Sequence, residues 1–323
     1  MARRIMAEIK AAGCVLFRRE ADGWRYLLLK NARHGDIGLP KGHVEPGESE
    51  IEGCVRETFE ETCVSVQPNT WFERRTLYEV KRSVKEVVYF VAEAGDDEVQ
   101  ISKEHTWAKW LDLRDALDAV RHQSLSDILW AAAGFLKDPG LRGTLQTNEA
   151  RSICESLLEP HIVAHTAQVA EMASTLARAM PGLDAEFVED CAWLHDIGRS
   201  VDHPRHPIEG FKLLDQRNLP GYAAPCVSHY TKGRPHAECG PMADELWRTV
   251  DCSTFADDEK VVALADFLAA QDRRVTLEAR HADLCDRYGS SQFLDRSLEI
   301  SLGLKREWEI ATGLDLYDAL SIS

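Results

Sequence analysis

The stretch Gly42-His43-Val44-Glu45-Pro46-Gly47-Glu48, followed after seven residues by Arg56-Glu57-Thr58-Phe59-Glu60-Glu61-Thr62-Cys63-Val64, decides how the first part of the chain folds. It reads as a glycine-rich turn feeding a helix. Ser49, with Glu52 three residues on, forms a capping box, which predicts a helix start near Glu50. Glu57, Glu60 and Glu61 then stand at i, i+3 and i+4, on one helical face. A run of glutamates usually marks a solvated face. Here the glycine turn and the spacing point instead to three carboxylates that repel one another unless a cation sits among them. An all-oxygen cluster suits a hard ion, Mg²⁺ or Mn²⁺, rather than zinc.

Outward from this segment, Ala12–Phe17 and Trp24–Leu29 are apolar, β-prone runs separated by Asp22-Gly23, a hairpin signal. Beyond the acidic helix, Thr70–Tyr78, Val84–Ala92 and His105–Trp110 read as strands, and Leu113–Arg121 and Leu125–Leu136 as helices. These elements predict an α/β/α sandwich. The segment Lys137-Asp-Pro-Gly-Leu-Arg-Gly-Thr-Leu-Gln-Thr147 is rich in turn formers and carries no periodic pattern. The expected division is therefore a first domain over 1–138, a linker over 139–148 and a second domain over 149–323. Past Glu149 strand signals vanish. Helices are expected at Ala150–Leu158, Ile162–Ala179, Ala185–His195, Ile208–Asp215, Glu259–Arg273 and Leu294–Thr312, an all-α second domain.

Composition limits the function classes. With 44% hydrophobic and 28% charged residues over 323 positions, the chain reads as a soluble protein long enough for two domains. A formal net charge of −16 and the lack of a basic tract argue against long-duplex nucleic acid as the main partner. No apolar run approaches the ~20 residues of a membrane span. Met1–Glu8 lacks the apolar core of a signal peptide. Nine cysteines without Cys-x-x-Cys pairs read as reduced thiols, so the expected location is cytoplasmic.

The glycine turn and acidic helix resemble the Nudix box, Gly-x5-Glu-x7-Arg-Glu-U-x-Glu-Glu-x-Gly-U, with U a bulky apolar residue. Gly42, Glu48, Arg56, Glu57, Glu60, Glu61 and Val64 match; Thr58 replaces an aliphatic residue and Cys63 a glycine. Glycine there would end the helix at positive φ, so Cys63 is expected to cost on the order of 1 kcal/mol or to shift the helix end. Leu39-Pro40-Lys41 before the turn, Phe17-Arg18-Arg19, and Glu104-His105 with Trp110 sharpen the likeness to dinucleoside tetraphosphate (Ap4A) hydrolases. The resemblance implies a mixed sheet, nucleoside polyphosphate substrates and asymmetric cleavage of Ap4A to ATP and AMP. It implies Glu57, Glu60 and Glu61 as metal ligands, Arg56 in the catalytic machinery, and Glu57 or Glu104 as the base. Lys41 is the candidate for contacting phosphate, and Tyr89 for stacking on adenine or, equally, for packing in the core.

The second domain carries a separate constellation. His165, the pair His195-Asp196, His206, His229 and Asp266 are spread along it. Asp266 lies inside the apolar run Val261–Ala270, where a buried carboxylate needs a partner or a metal. The set resembles the HD phosphohydrolase superfamily, and His195-Asp196-Ile197-Gly198 reproduces its HDIG variant. That implies His165, His195, Asp196 and Asp266 as ligands of one ion, and His206 and His229 as additional ligands where two are held, with Asp196 bridging. Mixed nitrogen and oxygen donors suit one or two ions of Fe, Mn, Co, Ni or Zn. Lys232 and Arg234 are candidates for holding substrate phosphate. His161, His203 and His236 read as ordinary surface or capping histidines. The expected whole is a bifunctional metal-dependent hydrolase. The alternatives are trimming of RNA 5′ ends by the first domain and nucleotide sensing by the second.

Overall fold

The computed structural model describes residues 8–20, 23–80, 83–95 and 97–322. The expectations for the amino-terminal Met1–Ala7 and for the hairpin residue Asp22 lie outside them. The chain divides into two compact units, Met1–Leu141 and Arg142–Ser323. Of the stretch 139–148, Pro139–Leu141 is a 3-10 turn with Leu141 in the first unit's core, whereas Leu145 lies in the second unit's core.

The first unit runs β1 (Glu8–Glu20), β2 (Gly23–Asn31), β3 (Ile37–Gly38), β4 (Lys41–His43), α1 (Glu50–Thr62), β5 (Asn69–Val80), β6 (Ser83–Glu93), β7 (His105–Leu111), α2 (Leu113–Ala119) and α3 (Gln123–Leu136). The sheet is mixed: β1 pairs in parallel with β6, and antiparallel with β2 and with β4. Strand β7 pairs antiparallel with β2, and β5 with β6. Strand residues alternate between two cores because successive side chains leave opposite faces. Val15, Phe17, Tyr26, Leu28, Val87 and Val91 pack with Leu113, Ile128 and Leu129 of the α2–α3 layer. Cys14, Leu16, Leu27, Leu29, Val88 and Phe90 pack on the other side with Cys54 of α1. A sheet covered on both faces is the α/β/α sandwich. Its central strands carry few polar residues for the same reason.

Helix α1 starts where the capping box predicts: the Ser49 hydroxyl accepts from Glu52 N, and the Glu52 carboxylate accepts from Ser49 N. It ends at Cys63, which adopts φ 58° and ψ 17° and donates its N–H to Phe59 O at 2.7 Å. The cysteine thus takes the left-handed conformation a glycine would favour, without shifting the helix end.

The second unit is mostly helical: α4 (Glu149–Leu157), α5 (Pro160–Ala179), α6 (Ala185–Leu194), α7 (His206–Gln216), α8 (Ala224–Thr231), α9 (Ala243–Thr249), α10 (Asp257–Phe267), α11 (Leu277–Tyr288), α12 (Gln292–Thr312) and α13 (Leu316–Ala319). One expectation needs correcting. The helix expected to reach Arg273 stops at Phe267, and a hairpin follows, β8 (Ala269–Ala270) against β9 (Arg273–Arg274), turning through Gln271 at φ 60°. Leu268, Ala269 and Ala270 are as buried as the helix before them, so apolar periodicity carries no mark of the change. Helix α8 escapes sequence reading because it is short and buried almost all round. Among the described residues no helix is long and apolar enough to cross a membrane.

Candidate active sites

In the first unit, the glycine turn sets the carboxylates in place. A Cβ on Gly42 would stand 1.9 Å from the Glu57 carboxylate, so only a glycine lets that side chain lie across β4. Arg56 organises the cluster. Its Nε donates to Glu48 Oε1 at 2.9 Å, one terminal nitrogen donates to Glu48 Oε2 and His43 O, and the other to Glu57 at 2.9 Å and Glu60 at 3.3 Å. Arg56 therefore holds carboxylates by charge-assisted bonds, a positioning role. Glu61 is buried, and its carboxylate accepts from Lys41 N at 2.9 Å with His105 Nε2 3.8 Å away. Burial pushes its pKa up to about 7, with Glu57 and Glu104 adding to the rise and Lys41 opposing it. The loop carrying Glu104 is stitched to the end of α1 by Gln100 N to Thr62 O and Ser102 N to Glu61 O, and Glu104 O accepts from Ala32 N.

Glu57, Glu60, Glu61, Glu104 and Lys41 all face one cavity of about 910 Å³. The three helix glutamates share it without converging. Among the described residues, the groups of three or more possible ligands lying within 4.8 Å of one another are both in the second unit. Tyr89 is 2% exposed and packs in the core, yet it also lines the cavity. Tyr78 and Lys85, cross-strand partners on β5 and β6, line it as well, together with His34 and His122. Sequence reading passed over them. The only signal was the alternation of β5, which puts Tyr78 on the face of Thr76, also in the wall.

In the second unit five helices contribute to one buried site. Helix α5 supplies His165, the end of α6 supplies His195 and Asp196, α7 opens with His206, α8 carries His229 and α10 Asp266. The approach of α7 depends on Gly198, where a Cβ would meet His206 O at 2.1 Å and Gly210 N at 2.4 Å. Three rings are aimed the same way. His195 Nδ1 lies 2.6 Å from Ala192 O, His206 Nδ1 2.8 Å from His203 O, and His229 Nδ1 2.9 Å from Pro225 O. With Nδ1–H donating to those carbonyls, each Nε2 presents a lone pair to the site. His165 and His195 then stand 3.2 Å and 3.7 Å from Asp266 Oδ1, and His206 and His229 3.3 Å and 3.7 Å from Asp196 Oδ1. Asp196 Oδ2 is 3.7 Å from His195 Nε2 and 3.9 Å from His165 Nε2. Two trios result, His165–His195–Asp266 and Asp196–His206–His229, with Asp196 between them.

His195 Nε2 and Asp196 Oδ1 are buried without a hydrogen-bond partner, which is unfavourable unless another atom coordinates them. Burial works against ionised Asp196, but His195, Arg199, His206 and His229 hold its carboxyl below the usual range. Burial, then the neighbouring His195 and His206, pushes His229 down to about 3, which keeps the imidazole neutral, the form that binds metal. The donor set therefore fits one or two divalent ions.

The cations expected near phosphate separate. Lys232 is buried and lines the cavity beside these rings, its Nζ donating to Ala263 O at 3.0 Å. Arg234 does not belong to the site: its guanidinium bonds Tyr230 O, Thr231 O, Phe293 O and Ser297, and packs 4.1 Å over the Phe293 ring. Those bonds clasp the end of α8 to α12. His161 is exposed beside Glu159, His203 lies against Arg199, and His236 pairs with Asp244, all outside the two trios.

An acidic cleft on an α/β/α sandwich and a His/Asp cluster in a helical unit are the equipment of a two-domain hydrolase. Comparison with known proteins agrees. The NUDIX domain model matches residues 8–129 and the HD domain model residues 162–290. An asymmetrical bis(5′-nucleosyl)-tetraphosphatase from Caenorhabditis elegans is 37% identical over 133 residues, covering 40% of this chain and 96% of that protein. The Mus musculus protein of the same description is 32% identical over 140 residues, covering 40% of this chain and 95% of its own. A crystal structure of a C. elegans Ap4A hydrolase binary complex is 34% identical, with a TM-score of 0.36, over 38% of this chain and 92% of that one. The chain belongs to the Nudix hydrolases through its first unit, and its second unit contains the stretch that matches the HD domain model.

Proposed function

We propose that the first unit hydrolyses dinucleoside tetraphosphates asymmetrically, Ap4A giving ATP and AMP, while the second hydrolyses a phosphate ester or anhydride. The observation that carries the first part is the likeness to asymmetrical tetraphosphatases along almost their whole length, centred on the helix that lines a cavity of about 910 Å³. That volume suits a nucleotide. Glu57, Glu60 and Glu61 would hold Mg²⁺ or Mn²⁺, and the two His/Asp trios one or two transition-metal ions. When bound, such ions polarise a phosphoryl oxygen and acidify water.

The chain's own groups do the rest. Water adds to a phosphorus, the bridging P–O bond breaks, and the polyphosphate separates into its two products. Lys41 and Lys85 face the cavity and balance phosphate charge, with the Tyr78 ring beside them. Arg56 keeps Glu57 and Glu48 in place. Glu104 is the better placed of the two base candidates, since Glu57 is engaged by Arg56 and laid against Gly42. Incubating the full chain with Ap4A and Mg²⁺ and resolving the nucleotides tests this. ATP with AMP is the expected pair. Two ADP, or no turnover of Ap4A while 5′-triphosphorylated RNA is consumed, would overturn it.

A further inference from the structure

The cavity over the His/Asp cluster measures about 180 Å³, below the roughly 300–1,000 Å³ of sites that enclose a whole drug-sized ligand. It accommodates one end of a substrate. Three basic side chains line it, Arg199, Lys232 and Arg280, in a chain of net charge −16. Arg199 is already engaged, its Nε donating to Asp196 at 2.6 Å and a terminal nitrogen lying 2.7 Å from His203. The other two have donors to spare.

Arg280, on α11, is anchored from outside, where one terminal nitrogen donates to Asp283 at 2.9 Å and Arg287 bonds the same carboxylate. Its Nε is buried without a hydrogen-bond partner. A buried guanidinium N–H left unmade is unfavourable until an acceptor arrives. Lys232 spends one donor on Ala263 O and stands 4.0 Å from Asp266 Oδ2. It is held at φ 49°, the left-handed region, directly after the helix that carries His229. Arg234, two residues on and equally buried, also has an Nε without a partner, but its terminal nitrogens bond carbonyls and a serine and it does not line the cavity, whereas Arg280 does.

We propose that Arg280 and Lys232 form an anion seat by which the second unit selects substrates for a terminal phosphate, the rest of the molecule remaining outside. This rests on the metal-dependent hydrolase reading of the same cavity. A dianionic terminal phosphate gains more from two extra cations than the monoanion of a diester. In the reaction, water oxygen bonds to the terminal phosphorus, the bridging P–O bond breaks and the leaving oxygen takes a proton. The products are inorganic phosphate and an alcohol or a shortened polyphosphate.

The test uses the full chain loaded with Mn²⁺, its metal content measured first. The substrates are p-nitrophenyl phosphate and bis(p-nitrophenyl) phosphate, and inorganic phosphate is the binding probe. The monoester should be the preferred substrate. Arg280→Gln should raise its KM and weaken inorganic phosphate binding about tenfold, with metal content and kcat little changed and with recovery in Arg280→Lys. Lys232→Met should weaken phosphate in the same direction. Metal retained, with phosphate bound equally by wild type and Arg280→Gln, or a preference for the diester, would overturn the seat alone. A wild-type chain that keeps no metal at the His/Asp cluster would overturn the underlying reading and the seat with it.

Discussion

The two sites keep several ionisable groups together in different ways, one with carboxylates alone and the other with histidines and aspartates. On α1 Glu57, Glu60 and Glu61 fall within about one turn beside a wide cavity; Arg56 bonds the first two, and the buried Glu61 accepts from Lys41 N. They can therefore stand apart, each with its own partner, and the ligand atoms do not converge. In the second unit histidines and aspartates, which favour one another's charged forms, are gathered in a buried core. His195 and Asp196 are all but inaccessible, and their orientation is imposed by ring-to-carbonyl bonds and by a helix pressed against Gly198. The lesson is that ring-to-carbonyl bonds and close packing preorganise a ligand set, whereas separate partners for each carboxylate leave convergence to the ion. The Nudix site should accordingly exchange metal freely, and the HD site should retain it.

The largest test of that contrast removes Asp196. Asp196→Ala removes a member of one trio whose other oxygen faces the histidines of the second, so activity of the second unit should fall on the order of 10²–10³-fold with loss of bound metal. Ap4A turnover should not change. Full metal retention by elemental analysis would break the assignment of this cluster, and loss of Ap4A cleavage would break the independence of the two sites. On the other side, Glu60→Gln or Glu61→Gln should lower Ap4A turnover by about 10²-fold while leaving the metal of the second unit in place. Near-normal kcat in both variants would remove the glutamates from the chemistry.

A smaller effect follows from Glu61 alone. Its folded-state pKa of about 7 lies above the ordinary 4.5, because burial penalises the carboxylate. The protonated form therefore stabilises the fold. That contribution is complete below about pH 4.5 and is lost as pH rises towards 7, on the order of 1–3 kcal/mol in chelated protein. The unfolding midpoint of the first unit should fall across that window, and Glu61→Gln should flatten the slope. An unchanged slope would mean that another group carries the titration. The smallest effect belongs to Cys63. Replacing it with glycine relieves an L-residue at φ 58° but adds freedom to the unfolded chain, so stability should rise by no more than about 0.5–1 kcal/mol with activity unaltered. A large activity loss would give the thiol a role at this exposed position.

What could be read directly from the chain was whatever is written in local spacing. The i, i+3, i+4 carboxylates, the Ser49–Glu52 capping box and the alternating strands are properties of neighbours along one element, and the helix and sheet repeats turn them into faces. The His195-Asp196 pair and its distant partners were legible only through a family pattern, since nothing local links His165 to Asp266 across 101 positions. Tertiary structure alone decided which side chains look into a cavity. It set Tyr78 in the cavity wall beside the buried Tyr89, tied Arg234 to carbonyls, and brought Arg280, with no motif to mark it, over the His/Asp cluster. It also gave Gly42 and Gly198 their reason, a carboxylate in one case and a helix start in the other occupying the space of a missing Cβ. The direction of a side chain at the end of a strand or helix depends on what packs against that element. For these residues the packing partners come from far along the chain, beyond the reach of any local pattern.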